Sequence, residues 1–305
     1  QANFVELSML DAQWSEHCSY KSSKSLLTLL PTKGKRVLLG PGYEAGVLDV
    51  DNGQIITLHI ESHNHPSAID PYGGAATGVG GVLRDILSIG TRPLAVLDSL
   101  RFGKLDNPNN KWLLRNVVRG IADYGNCVGI PTVGGEVAFD DCFETNCLVD
   151  VVCIGVGKRK NLVFSEAKNP GDILMLLGGK TGRDGIHGSS FASKNLDNVD
   201  FDRSAVQIPD PFTKKLIIEA TLDALSTGFI SGLKDLGGGG LACALSEVSD
   251  KGNTGVEVDL NRILLRESNM DASDVLISES QERMLVVIRR GMEKERVYEG
   301  KENLA

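Results

Sequence analysis

The stretch Leu58-His59-Ile60-Glu61-Ser62-His63-Asn64-His65-Pro66-Ser67 alternates apolar and polar side chains, and it follows an Asn52-Gly53 turn dipeptide and the apolar pair Ile55-Ile56. The alternation predicts a strand over residues 54–62, because successive strand side chains leave on opposite faces. Thr57, His59, Glu61 and His63 then share one face, and Ile56, Leu58 and Ile60 share the other. The apolar face is expected to pack. The other presents two imidazoles and a carboxylate, and Pro66 breaks the strand into a loop holding Asn64 and His65. Three of the five histidines fall within seven residues here. Two readings fit: a solvated face of an edge strand, or a site in which a buried carboxylate beside histidines tunes proton transfer and holds a hard cation.

Charge and composition narrow the class. The net charge is −8, so no basic field attracts a phosphate backbone, and nucleic-acid binding is not expected. No apolar run approaches the ~20 residues of a membrane helix, and no signal peptide is visible, so no membrane association is expected and the cytoplasm is the expected location. The six cysteines include no C-x-x-C pair, and most are expected to be reduced core thiols. Zinc held by Cys142, Cys147 and a distant histidine is the alternative.

Along the chain, residues 4–30 predict two helices separated by a break at 14–20. Strands follow at 36–39 and 47–50. The glycine-rich run 73–81 reads as a flexible approach to a helix ending near 89. A strand is expected at 93–100, a helix capped by Asn110 through 124, and strands at 132–139 and 148–156. The polar segment 158–170, which runs into Asn169-Pro170-Gly171, marks a boundary between domains 1–158 and 159–305. The second domain reads as a strand at 173–177, a glycine loop, a short helix at 189–194 and a helix from 211 to 226. A strand at 230–233, a helix after Gly237–Gly240, strands at 256–260 and 284–288 and a charged helical tail complete it. The class is α+β or α/β.

Several residues carry possible chemistry. Arg84 and Asp85 interrupt an otherwise apolar helix, and an unpaired buried charge costs several kcal/mol. They form a structural ion pair, or Asp85 joins Glu61 on a divalent cation while Arg84 meets an anionic ligand through its planar fork. Three glycine-rich segments, 73–81, 178–188 and 237–240, offer backbone N–H groups that an oxyanion could approach. None matches a P-loop or a dinucleotide fingerprint. Together with scattered acids they favour a phosphate-bearing ligand held through Mg²⁺. Asp235 reads as a third acid or as a helix-start residue. On pattern alone His17 and Tyr20 read as structural, and Glu279-Ser280-Gln281 as a polar turn.

Trp14-Ser15-Glu16-His17-Cys18-Ser19-Tyr20-Lys21, Glu61-Ser62-His63-Asn64-His65-Pro66-Ser67 and Gly182-Arg183-Asp184-Gly185-Ile186-His187-Gly188 resemble signatures of the small form of phosphoribosylformylglycinamidine synthase, along essentially the whole chain. The resemblance implies an aminoimidazole-ribonucleotide-synthetase-like two-domain unit, with a sheet-forming N-terminal domain and a C-terminal domain containing a ferredoxin-like element. It implies ATP-dependent conversion of formylglycinamide ribonucleotide to its amidine, the fourth step of de novo purine synthesis, through a phosphorylated amide displaced by ammonia. A glutaminase subunit would supply the ammonia and a small subunit would bridge the two. By position, His17 and His63 match catalytic histidines, which replaces the structural reading of His17. Tyr20 and His59 match ATP contacts, although relatives often have lysine at the latter. Glu61 matches a ligand of one Mg²⁺, and Asp85 with Asp235 match ligands of a second. Ser62, His63, Asn64, His65, Arg84, Gln207, Glu279, Ser280 and Gln281 match substrate positions.

Full members of that family are longer and contain two such units, so the chain is expected to be the first half, a fragment whose bare sheet pairs with the missing half or with a second copy. Two rival readings stand beside this one. The first is another ATP-dependent enzyme of the same superfamily, such as a selenophosphate or thiamine-phosphate phosphotransferase, and the second a non-catalytic nucleotide-binding or assembly module.

Overall fold

A computed structural model describes residues 2–144, 146–192 and 205–292. Helix α1 (Phe4–Trp14) opens on a reciprocal cap, in which the Asn3 side chain accepts from Glu6 N and the Glu6 carboxylate from Asn3 N. In place of a second long helix come two single turns, α2 (Glu16–Ser19) and α3 (Lys24–Leu27). Tyr20 sits in the left-handed region at φ 52°, and Glu16 takes the backbone N–H groups of Ser22 and Ser23, closing the chain into a turn. Leu29 and Leu30 stay exposed, so no buried face supports a longer helix there.

The main sheet contains β1 (Val37–Leu39), β2 (Gly46–Asp49), β3 (Gln54–Ser62), β4 (Arg92–Phe102), β5 (Thr132–Phe139) and β6 (Leu148–Lys158). Their order is β1-β2-β3-β6-β4-β5, antiparallel except for the β4–β5 pair. Between strands lie α4 (Asn64–Ile69), α5 (Pro71–Ser88) and α6 (Pro108–Val128). Asn107 caps α6, not Asn110, whose amide is buried and donates to Lys104 O and Glu144.

The glycine run 73–81 is not a flexible approach. It lies wholly inside α5, which Asp70 caps by accepting from Gly73 N and Pro71 starts. Each glycine costs a helix about 1 kcal/mol relative to alanine, and close packing explains their presence. A Cβ at Gly74 would strike the Ser67 backbone, one at Gly80 the Tyr124 ring, and one at Gly81 the Glu61 carboxylate. The N–H groups beyond the first turn of α5 serve its own ladder, so this segment is not a phosphate cradle.

The two faces of β3 are reversed from the expected arrangement. The set containing Thr57, His59, Glu61 and His63 lies under α5, whereas Ile60 is 62% exposed. Register pairs Ile56 with Val156, Leu58 with Ile154 and Ile60 with Val152, so an apolar stripe runs across the open face of the sheet. The polar set tolerates its covered position because Arg84 and Asp85 of α5 descend onto it, and charges are buried together.

A second sheet consists of β7 (Ile173–Gly178), β8 (Ile230–Asp235) and β9 (Arg283–Ile288), antiparallel in the order β7-β9-β8. With it come α7 (Gly188–Ala192), α8 (Pro211–Ser226), α9 (Gly240–Gly252) and α10 (Ala272–Ile277). Central β9 is buried along its length. Met284, Val286 and Ile288 join the core of α5, α6 and α8, while Leu285 and Val287 join a second core with α1, α9 and α10. Burial on both sides is why its sequence is an unbroken apolar run. Residues 256–260 form no strand: nothing pairs with them, and the chain enters a 3₁₀ turn at Leu260–Arg262. The end of the expected helix 189–194 and the tail beyond Met292 lie outside the described residues.

Among the described residues no helix is long and apolar enough to cross a membrane. Cys147, Cys153 and Cys243 are buried, but Cys127 and Cys142 are exposed and Cys18 half-buried, so the thiols are less uniformly internal than expected. Cys142 and Cys147 join no metal-capable cluster among the described residues.

Candidate active site

The site is built where β3 ends against α5. His63 follows the strand, is buried, and donates its backbone N–H to Val149 O at 2.8 Å. Gly78 of α5 makes room for it, since a Cβ there would lie 3.1 Å from the His63 Cβ. Burial, with His17 next in importance, lowers the His63 pKa to about 4, so the ring is neutral at physiological pH. Its Nδ1 is buried without a hydrogen-bond partner. His17, which is exposed at the rim, is also held below its ordinary value, by desolvation from its surroundings and then by His65. Two neutral imidazoles therefore face one cleft.

One strand position back, His59, Glu61 and Asp85 place one ligand atom each within 4.8 Å of one another. His59 Nε2 is 3.3 Å from Asp85 Oδ2. Burial and then Asp85 raise the Glu61 pKa to about 7, and Glu61 Oε2 is buried and unpartnered. Asp85 is pushed well above its ordinary range by burial and then by Asp235. Two carboxylates so destabilised, with an imidazole beside them, are a donor set suited to a divalent cation. Asp235 stands one step away. Burial works against its charge, but Lys234, 3.1 Å off, and Arg84 outweigh this and hold it ionised. Tyr20 is about half exposed, and partial desolvation and then Glu61 raise its phenol pKa.

Arg84 is 2% exposed and donates to Gln281 Oε1. Asp235 and Glu282 each stand 3.9 Å from its guanidinium, beyond hydrogen-bond reach. Its Nε, the atom nearest Asp235, is buried without a hydrogen-bond partner, while the residue itself lines the cleft. Glu282 is instead claimed by Lys214 Nζ at 2.6 Å and Tyr124 OH at 2.7 Å. This buried Lys214–Glu282–Tyr124 group was invisible as a site feature in the sequence. The one signal was a charge adjoining the Glu279–Gln281 run.

Glu279 ties three loops together. Its carboxylate accepts from Ser189 N, Gly239 N and Gln207 Nε2, at 2.8, 2.8 and 2.6 Å. Burial nonetheless raises its pKa to about 7. In the 178–188 segment the charges serve local structure: Arg183 pairs with Asp274, while Asp184 accepts from Arg266 and from Ser280 Oγ. Asn64 Oδ1 is taken by Val149 N.

The structure gathers His17, Glu61, Ser62, His63, Asn64, His65, Arg84, Gln207, Glu279 and Gln281 around one cleft, with Gly237 and Gly238 on its far wall. His59, Asp85 and Asp235 lie behind Glu61 and Arg84 and do not line it, and neither does Tyr20. Ser280 is buried with its hydroxyl turned to the 178–188 loop.

Residues 42–157 match the family described as AIR synthase related protein, N-terminal domain, and residues 169–301 its C-terminal domain. Residues 1–21 match the formylglycinamide ribonucleotide amidotransferase linker domain. The phosphoribosylformylglycinamidine synthase subunit PurL of Methanobrevibacter smithii is 55% identical over 94% of this chain and 40% of its own length. Thermotoga maritima PurL complexed with FGAR is 45% identical with a TM-score of 0.86, over 94% of this chain and 46% of that one. The same protein complexed with ATP is 42% identical with a TM-score of 0.83, over 99% and 47%. The chain thus spans about two fifths of the length of the curated relatives it matches. With both synthase domains matched in order and the fold shared along nearly its whole length, the chain belongs to the AIR synthase related proteins and is similar, within them, to one half of PurL.

Proposed function

We propose that this chain carries the amide-activating site of a phosphoribosylformylglycinamidine synthase, converting formylglycinamide ribonucleotide to its amidine with ATP and ammonia. The observation that carries this is the joining, at the end of β3, of a buried and a rim imidazole that are both neutral, a forked cation and a carboxylate pair suited to a divalent ion. The γ-phosphoryl group passes to the amide oxygen and ADP leaves. Ammonia then attacks the amide carbon, phosphate departs with that oxygen, and the surplus proton goes to His63. A histidine protonated before the reaction could not accept it, which is what burial of His63 prevents. His17, across the cleft, is the second histidine in contact with the reacting groups. Arg84, with Gln281 and Gln207, orients the anionic substrate, and Ser62, Asn64 and His65 form the near rim.

Mg²⁺ fits the residues present. His59, Glu61 and Asp85 would hold one ion and Asp85 with Asp235 a second, neutralising polyphosphate charge during transfer. Tyr20 and His59 are the nucleotide-facing side chains. We divide the chain at 158/159 and place the protein in the cytoplasm. Its partners in this reading are a glutaminase and a small bridging subunit. PurLQS of Thermotoga maritima, 41% identical with a TM-score of 0.84 over 100% of this chain and 46% of that chain, is the relevant assembly. The open apolar face of β3 and β6 would meet a second synthetase unit, either the other half or another copy. Sedimentation then shows a dimer that Ile60→Lys converts to monomer, and a monomer at every concentration would remove the self-pairing.

The test of the activity is ATP hydrolysis by the chain with formylglycinamide ribonucleotide and ammonia supplied singly and together. Turnover only with both supports the assignment. Binding of both ligands without turnover leaves a nucleotide-binding module, and hydrolysis indifferent to the ribonucleotide points to another reaction.

A further inference from the structure

Behind His17 the chain brings together two thiols that the reaction does not use. Cys18, in α2, and Cys243, in the first turn of α9, are 225 residues apart in sequence, yet their sulfurs lie 3.9 Å apart with the Cys243 thiol directed at Cys18. No side chain separates them, because the neighbouring chain is glycine. A Cβ at Gly239 would collide with Cys243 Sγ, and one at Gly238 would lie 3.6 Å from Cys18 Sγ and 3.1 Å from His17 Cδ2. The sulfurs therefore share one wall with the cleft, of which His17 and Gly238 are part. Cys18 is half-buried and reachable by a small oxidant, whereas Cys243 is 5% exposed.

We propose that Cys18 and Cys243 form a peroxide-reactive dithiol site that closes to a disulfide and, in closing, displaces His17 and Gly238 from their places in the cleft. The roles are unequal. The hydrogen bond from Cys243 lowers the Cys18 pKa to about 7, so Cys18 supplies the thiolate, while Cys243, pushed up by Cys18 and by burial, keeps its proton. The Cys18 thiolate attacks one oxygen of hydrogen peroxide, forming an S–O bond as the O–O bond breaks and hydroxide leaves. Cys243, giving its proton to the departing oxygen, then attacks the Cys18 sulfenic acid, forming the S–S bond and releasing water. The two thiols are oxidised by two electrons and the peroxide is reduced. A disulfide holds its sulfurs about 2 Å apart, so closure requires the Cys18 and Cys243 sulfurs, now 3.9 Å apart, to approach by roughly 2 Å. Gly238, which His17 Cδ2 and Cys18 Sγ both approach, shifts with that movement. A thiol reductant reverses the change.

The test treats the reduced chain with equimolar hydrogen peroxide. The expected result is loss of two thiols, a peptide linking Cys18 to Cys243, recovery with a dithiol reductant, and a shift of the His17 and His63 ring resonances. In Cys243→Ser the reaction stops at a sulfenic acid on Cys18, and dimedone labels that residue about tenfold more than in the unaltered chain. If serine perturbs folding, Cys18→Ser gives the converse test, in which Cys243 stays alkylatable after peroxide and no linked peptide forms. Oxidation of Cys127 or Cys142 while Cys18 and Cys243 remain alkylatable would overturn the site. A linked peptide with unmoved His17 resonances would overturn its coupling to the cleft.

Discussion

Replacing Lys214 with methionine isolates the buried charge group behind Arg84. The ammonium is fully enclosed, 2.6 Å from Glu282 Oε2 and 3.2 Å from Gly80 O. Methionine keeps most of the volume and loses the charge. Glu282, 2% exposed, then keeps only Tyr124 OH and a long bond from Asp210 N. Removing one member of a buried pair costs about 3–5 kcal/mol, because the other charge is left uncompensated. Here Arg84 stands 3.9 Å from the same carboxylate and can close on it, which returns part of that cost. A net loss of about 3 kcal/mol is expected, and with a urea m-value of about 3 kcal/mol/M the midpoint falls by about 1 M. The closing movement also withdraws Arg84 from the cleft, so affinity for the ribonucleotide falls with stability. The double variant Lys214→Met/Glu282→Gln removes the stranded charge and keeps an acceptor for Tyr124, and should recover at least half the stability. A midpoint change below about 0.3 M, or no recovery in the double variant, would refute this account of Glu282.

Two further outcomes follow from the same geometry. Glu61 and Glu279 titrate near 7 in the folded chain against an ordinary 4.5, so the native state binds these protons more tightly than the unfolded chain. Their contribution is full below the ordinary value and is lost as pH rises toward 7. His63, lowered to about 4, and His17, also lowered, act oppositely as pH falls below 6.5, against the raised carboxyls of Glu61, Glu279 and Asp85. The melting temperature should therefore fall between pH 5.5 and 7.5, less steeply in Glu61→Gln, and added Mg²⁺ at pH 7.5 should restore part of the loss. A rise over that interval in the unaltered chain would contradict the reading. Gly81→Ala places a methyl group on the Glu61 carboxylate. Calorimetry should show at least tenfold weaker Mg²⁺ binding, an effect of over about 1.4 kcal/mol, with helix content unchanged by circular dichroism.

The period-two pattern of residues 54–62 was enough to place β3 and to put His59, Glu61 and His63 on one face. It could not say which face is covered, because apolar side chains on an open sheet face look like core in one dimension. The glycines of α5 carried the opposite ambiguity. Glycine in sequence signals freedom, and only the approach of Glu61, Ser67 and Tyr124 reveals that these glycines are there for close packing. Arg84 and Asp85 were conspicuous as charges in an apolar helix, whereas Lys214 and Glu282 sat in polar segments that look solvated. Their burial depends on α8 and β9 meeting α5 and α6, and contacts that distant in sequence leave no local trace. The separation of Ser280 from Glu279 and Gln281 is of the same kind, since alternate residues of an extended run face different neighbours.

The most direct measurement is a calorimetric titration of formylglycinamide ribonucleotide into the chain and into Arg84→Lys, which keeps the charge and removes the fork. The expected result is one site per chain, weakened at least tenfold in the variant, an effect of about 1.4 kcal/mol or more. Equal affinity in both proteins, or no binding to the unaltered chain, would contradict the placement of the substrate at the end of β3.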